Sequence, residues 1–198
     1  LDLLREQSEG LIARAACLAG EIPRRLMNGD YEGAKQHALT MQDIFGEGNF
    51  YLVLQDHGIR EQRQIIPQIV RLSRETGIPV VATNDAHYIR KEDSRMQKVL
   101  VCIQTNHTVD EDSDLEFETE EFYLKSQQEM EQLFAQIPGA IENTQRIADR
   151  CRVEFEFGHH KLPLFIAPDH QDNRTYFRDL CYQGMYRLYG EHPDTAVT

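Results

Sequence analysis

The sequence predicts an α/β fold built on a parallel sheet, and three observations carry that expectation. Short apolar runs recur at Gly10–Ala16, Phe50–Leu54 and Ile78–Asn84, rich in β-branched and aromatic residues. Long stretches with helical periodicity separate them, and such long connections are what parallel strands need. The third run ends abruptly in Asn84-Asp85-Ala86-His87, and in parallel α/β folds functional groups collect at the carboxyl ends of strands.

Each element has its own justification. Gly10–Ala16 reads as a short buried strand that ends at Cys17-Leu18-Ala19-Gly20. Tyr31, Ala34, Ala38, Met41 and Phe45 fall on one helical face, with Asp30 as N-cap and Gly46 and Gly48 as the stop. Phe50–Leu54 is a strand, and Asp56-His57-Gly58 turns the chain. Ile65, Ile66, Ile69 and Leu72 form the stripe of a second helix ended by Gly77; Pro67 kinks it or sits in its first turn. After His87 the pattern becomes mainly helical. Asp93 caps a helix carrying Met96, Val99, Leu100 and Ile103. Ser126-Gln127-Gln128-Glu129 matches a capping box ahead of Met130, Leu133 and Phe134. Ala140, Ile141, Thr144, Ile147, Ala148 and Cys151 mark another amphipathic helix, Leu162–Asp169 a linker, and Asn173–Tyr189 a last helix.

Composition limits the function classes. The 198 residues are 40% hydrophobic and 27% charged, a globular profile with no run near the ~20 apolar residues of a membrane span. The net charge of −12 makes this chain alone a poor binder of nucleic acid. Cys17, Cys102, Cys151 and Cys181 are far apart with no C-x-x-C pair, which argues against a disulfide framework or zinc ribbon and fits a reducing, cytoplasmic setting. The opening Leu1-Asp2-Leu3-Leu4-Arg5-Glu6 has no Met and no signal-peptide pattern, as expected of a fragment of a longer protein.

Asp85 and His87 are the leading chemical candidates. Two residues apart in extended chain, they point to one side, and a carboxylate plus an imidazole make half of a Zn²⁺ or Mn²⁺ site. The plainer alternative has Asp85 capping the next helix and His87 as a turn residue. His57 reads as a turn histidine that could approach the same place. His159-His160 reads as two solvated side chains, since adjacent residues diverge. Asp110–Asp114 lacks EF-hand spacing and reads as part of a solvated acidic loop. No Gly-rich phosphate loop or serine triad is present.

Several blocks together resemble a known family. Gly10-Leu11-Ile12, Ala16-Cys17-Leu18-Ala19-Gly20-Glu21-Ile22 and Phe50-Tyr51-Leu52 through Gly58 are similar to the PHP domain of bacterial DNA polymerase III alpha subunits. So are Val81–Tyr88, Val101–Thr105, Glu121–Ser126 and Glu142–Cys151, in order along nearly the whole chain. The resemblance implies part of a distorted PHP-type β/α barrel, three βα units followed by mainly helical segments. It assigns residues 1–158 to the C-terminal part of a PHP domain and 159–198 to a linker and the start of the polymerase core, or palm.

It further implies that Cys17, Asp85 and His87 are metal ligands, for Zn or Mn, with the others supplied by a His-x-His half that this chain lacks. Cys17 stands where related proteins often have His; on residue type alone it is a small buried hydrophobe. The Mg²⁺ of nucleotidyl transfer belongs to a palm site outside this chain, and no catalytic residue of polymerisation lies within it. The implied role is a segment of a DNA-directed DNA polymerase with metal-dependent 3′→5′ exonuclease or phosphoesterase chemistry, inactive as an isolated fragment. Implied partners are other polymerase III holoenzyme subunits, and DNA through the polymerase regions; the fragment itself is expected to self-associate. Val53 replaces a usual Glu, Gln97 a usual His and Asn106 a usual Gly. The first two support the alternative: an inactive structural module that braces the polymerase and docks a separate exonuclease. The blocks after His87 argue against a third reading, a stand-alone PHP phosphoesterase.

Overall fold

The computed structural model describes residues 1–15, 17–110, 119–159 and 162–190. It divides into two compact units, Leu1–Arg152 and Val153–Thr198. The strand at Gly10–Ala16 is realised as β1 (Ala13–Ala15), with Ala16 outside the described residues. β2 is Phe50–Leu54 and β3 is Val80–Ala82. The sheet order is β1-β2-β3 with both pairings parallel; Leu52 stands opposite both Ala15 and Val80. The chain is therefore a mixed α/β structure with a three-stranded parallel sheet.

β2 lies in the middle and is buried at all five positions, as a central strand covered on both faces must be. Phe50, Leu52 and Leu54 face the main core, with Ile22, Leu26, Ala34, Ala38, Ile65, Ile69 and Leu72 from the helices. Those helices are α2 (Glu21–Met27), α3 (Tyr31–Phe45) and α4 (Arg60–Thr76), preceded in the chain by α1 (Asp2–Glu6). Tyr51, Val53 and Val81 face the other way, into a smaller cluster with Ile12 and Ile147.

The local signals explain most boundaries. Asp30 caps α3, its carboxylate accepting the Gly33 N–H at 2.9 Å. Gly77 ends α4 in the left-handed conformation at φ 74°. Pro67 sits well inside α4 rather than in its first turn. It removes the partner of the Arg63 carbonyl, but both residues are on the exposed face, where water satisfies that group. α1 and α2 went unanticipated. They are too short to display a period; Pro23 is tolerated because it lies in the first turn of α2, and it is buried there with Ile22 and Leu26.

β3 is an edge strand whose outer side is not left bare. Asn143 donates from Nδ2 to the Val80 carbonyl at 2.7 Å, and the Ala82 N–H donates to the Ala140 carbonyl at 2.8 Å. Asn143 lies in the first turn of α7 (Glu142–Arg150), and Ala140 lies in the turn just before it. A buried helix-terminal amide thus stands where a further strand would pair. β1 carries the other edge, with exposed Arg14 at its centre.

α5 (Ser94–Thr105) follows a short 3₁₀ turn at Lys91–Asp93. The Asp93 carboxylate accepts from the Arg90 N–H rather than from the helix. Met96, Leu100 and Ile103, expected on an apolar side, are largely exposed, and Cys102 is the buried residue of α5. α5 ends at Asn106, φ 57°. Asn is the residue after Gly that best tolerates this left-handed position, so the replacement of a usual Gly costs little. α6 (Gln127–Leu133) has the capping box in full: Ser126 accepts from the Glu129 N–H, and Glu129 accepts from the Ser126 N–H.

In the second unit α8 (Asn173–Tyr189) is capped by Asp172, which accepts from the Thr175 N–H at 2.9 Å. Asn173 ties down the preceding 3₁₀ turn, Pro168–His170, through the Ala167 N–H and the Phe165 carbonyl. Phe165 stacks on Tyr176.

Candidate metal centre

The chain after β3 is held on both sides. The Thr83 N–H continues the sheet by donating to the Leu54 carbonyl at 3.0 Å. Asn84 donates from Nδ2 to the Tyr123 carbonyl at 3.0 Å. The His87 N–H donates to the Phe122 carbonyl at 2.8 Å, and the Leu124 N–H returns to the Tyr88 carbonyl at 3.0 Å. Tyr88 and Tyr123 thus form a strand-like bridge.

This frame brings Asp85 and His87 together as their spacing predicts. Asp85 Oδ1 lies 3.3 Å from His87 Nε2, with side chains 50% and 37% exposed. Two donors bonded at about 2.1 Å to one tetrahedral ion stand about 3.4 Å apart, so carboxylate and imidazole have both the chemistry and the separation to share a divalent cation. They also suit a direct hydrogen bond.

His57 is not an exposed turn residue; it is buried to 1% exposure between β2 and the Asp85 turn. Its Nε2 accepts the backbone N–H of Asp85 at 3.1 Å. Gln62, buried on α4, takes the His57 backbone N–H on Oε1 at 2.8 Å and meets Nδ1 at 3.1–3.3 Å. The ring lies flat on Phe122, centroids 4.5 Å apart and planes 4° off parallel. Burial, followed by the nearby Lys125 ammonium, pushes the His57 imidazole below its ordinary value. The sequence places His57 in a turn that could approach this site, and it does approach it; its burial comes from Phe122 and Thr119, whose hydroxyl donates to the His57 carbonyl. Both lie more than sixty residues downstream.

Cys17 sits beyond the end of β1 with φ 66° and an exposed thiol. It lines a small cavity of about 20 Å³ with Val53, Gln55, Gln62 and Ile65. Val53 therefore presents methyl groups to the Cys17 cavity. Among the described residues, no group of three or more His, Cys, Asp and Glu side chains is placed to hold a metal ion. The structure pairs Asp85 with His87 and does not bring Cys17 into such a group with them. The donor set thus fits a divalent ion in kind and supplies two of the four positions a closed zinc site requires.

The remaining sequence candidates lie elsewhere. His159 is exposed, 3.6 Å from Glu156, and His160 is outside the described residues. Most of the acidic run, residues 111–118, is outside them too. Next to the site, Glu121 joins Lys91 and the buried side chain of Lys125, and those cations, Lys91 first, hold its carboxyl below the usual range. A cleft of about 770 Å³ opens beside Ala82 and Asn84, walled by α6 and the start of α7.

The described chain is thus a parallel α/β structure with an Asp-x-His pair at the carboxyl end of a strand. In line with this, the PHP domain family matches residues 1–57. Over nearly its whole length the chain is a relative of DNA polymerase III alpha subunits. It is 40% identical over 189 residues to "DNA polymerase III subunit alpha" of Treponema pallidum (strain Nichols), covering 95% of this chain and 16% of that protein. It is 44% identical over 170 residues to the protein of that name from Borreliella burgdorferi, covering 86% and 14%. The Helicobacter pylori (strain J99) relative is 42% identical over 184 residues, covering 88% and 15%. The chain spans about a sixth of the length of the curated relatives it matches. Among the described residues, no helix is long and apolar enough to cross a membrane.

Proposed function

We propose that the chain is a segment of a replicative DNA polymerase of the polymerase III alpha type, in which residues 1–158 form part of a distorted PHP barrel. Residues 159–198 lead into the polymerase core. Asp85 and His87 hold a divalent ion, Zn²⁺ or Mn²⁺, with the other ligands coming from protein outside this chain. Other holoenzyme subunits, and DNA bound by the polymerase regions, are the partners, in the cytoplasm.

The observation that carries this reading is the 3.3 Å approach of Asp85 Oδ1 to His87 Nε2 at the end of a parallel strand, both side chains open to solvent. When bound, a divalent ion supplies Lewis acidity toward a phosphodiester and a more acidic water, the chemistry of a 3′→5′ exonuclease. Asp85 contributes the charge that favours the cation; His87 contributes a neutral nitrogen donor.

The test is elemental analysis of the full-length protein carrying Asp85→Ala or His87→Ala, alongside polymerase and exonuclease assays. Loss of bound metal and of exonuclease activity, with polymerisation largely kept, is expected. Full metal content in both variants sinks the ligand assignment.

One observation favours a second reading, a structural module without hydrolytic activity. Val53, packed with Tyr51 and Val81 and only 7% exposed, puts an apolar side chain where a carboxylate would tune the site. Metal retained by the full-length protein without any exonuclease activity would select it.

A further inference from the structure

Two side chains, those of His57 and Phe122, contact the Asp85–His87 turn, and a third, Gln62, holds His57. Gln62 comes from α4, His57 from the end of β2, and Phe122 from the segment before α6. A backbone N–H can only donate, so the Asp85 amide at 3.1 Å requires a lone pair on His57 Nε2. In the neutral ring the proton is then on Nδ1, which faces the Gln62 amide with its Nε2 at 3.1 Å and its Oε1 at 3.3 Å; of the two only Oε1 can accept it. The same Gln62 oxygen accepts the His57 backbone N–H at 2.8 Å, which fixes the amide's orientation. Both ring nitrogens are therefore committed, and His57 has no lone pair to offer an ion. Phe122 completes the arrangement. One face stacks on His57, its ring meets His87 edge-on at 5.6 Å, and its carbonyl accepts the His87 N–H.

We propose that Gln62, His57 and Phe122 are positioning residues for the metal pair: His57, as its Nδ1–H tautomer, fixes Asp85 through the backbone, and Phe122 fixes His87 through its ring and carbonyl. This rests on the metal reading of Asp85 and His87. Binding an ion requires two donors held at one separation, and a donor on a loose turn gives up affinity to ordering. Here the ordering is done in advance by groups that never touch the ion.

The experiment is a Mn²⁺ titration of the full-length protein, reading bound Mn²⁺ by electron paramagnetic resonance with full-length Asp85→Ala as the blank for ions bound elsewhere, and ¹⁵N shifts of the His57 ring in selectively histidine-labelled, metal-free protein. His57→Phe keeps a flat ring on Phe122 but removes the acceptor; Mn²⁺ binding should weaken by roughly 10–100-fold, the usual cost of losing a partner that orients a ligand. His57→Gln returns an acceptor oxygen toward the Asp85 N–H and should recover most of that loss. Thermal stability is measured on both variants. If affinity follows stability rather than the presence of the acceptor, the role is merely structural and the proposal is overturned. Undiminished binding in His57→Phe overturns it alone. An Nε2–H tautomer in the wild-type chain also overturns it, without depending on any variant's folding. Mn²⁺ binding left unchanged by Asp85→Ala and by His87→Ala in the full-length protein overturns the metal reading itself, and the positioning role falls with it.

Discussion

The carboxyl ends of β1 and β3 were both read as metal-bearing, yet they are built differently. At the end of β3, Thr83, Asn84, Asp85, His87 and Tyr88 are each tied to the sheet, to His57 or to the Phe122 segment. At the end of β1 the chain turns through Cys17 with a left-handed backbone and an exposed thiol. Gln62 touches both: it holds His57, and it lines the cavity beneath Cys17. The difference teaches where organisation comes from. A strand end becomes a defined site when later chain returns to cover it, and here that cover is supplied to β3 by residues 119–124.

The strongest way to break the contrast is to remove the cover. Phe122 is 4% exposed and stacks on His57. Phe122→Ala should cost about 3 kcal/mol or more, since truncating a buried Phe loses both transfer energy and packing. Chemical denaturation measures this. A loss under about 1 kcal/mol, small for any buried aromatic, would mean that the segment is dispensable and the two strand ends are alike.

A smaller effect sharpens the comparison through pH. Burial and Lys125 lower the His57 pKa in the fold, whereas the unfolded chain titrates near about 6.5. The unfolded state then takes up the proton first as pH falls. Stability from this group is full above about pH 6.5 and is lost as pH drops toward the folded value. His57→Gln, which cannot titrate, should flatten the stability–pH slope just below 6.5. Glu129, held down to about 2 chiefly by the Tyr123 hydroxyl and then by Ser126, acts only in the carboxylate range below 4.5 and stays distinguishable. An unchanged slope in His57→Gln would place the histidine in a solvated setting.

The sequence made β3 and its Asp-x-His pair legible because both depend on neighbours in the chain: β-branched residues choose the strand, and the two-residue spacing sets the direction of Asp85 and His87. The same holds for Asp30 and Ser126, whose caps close within three residues. The turn at His57 and its approach to Asp85 are legible, but its burial is not, because its surroundings are assembled from Gln62, Asp85, Thr119 and Phe122. A local pattern of Asp-His-Gly looks like a turn whether or not distant chain later buries it. α5 failed in the opposite way. Met96, Leu100 and Ile103 have a core-like period but lie exposed, because periodicity reports a face and not what, within 198 residues, packs against it. Cys17 could be placed at a strand end from the sequence, but its backbone conformation could not.

That conformation gives the smallest effect and the other half of the comparison. At φ 66° a side chain crowds its own backbone, which costs a residue other than Gly roughly 1–2 kcal/mol. Glycine escapes that cost but gives up about 0.5–1 kcal/mol of chain entropy on folding. The thiol is exposed, so little packing is lost with it. Cys17→Gly should therefore change stability by no more than about 1 kcal/mol, in the stabilising direction. Thermal or urea unfolding reads the shift directly. A clear loss instead would show that the Cys17 side chain is held by its cavity walls, Val53, Gln62 and Ile65. The end of β1 would then be as organised as the end of β3, with Gln62 as the residue that organises both.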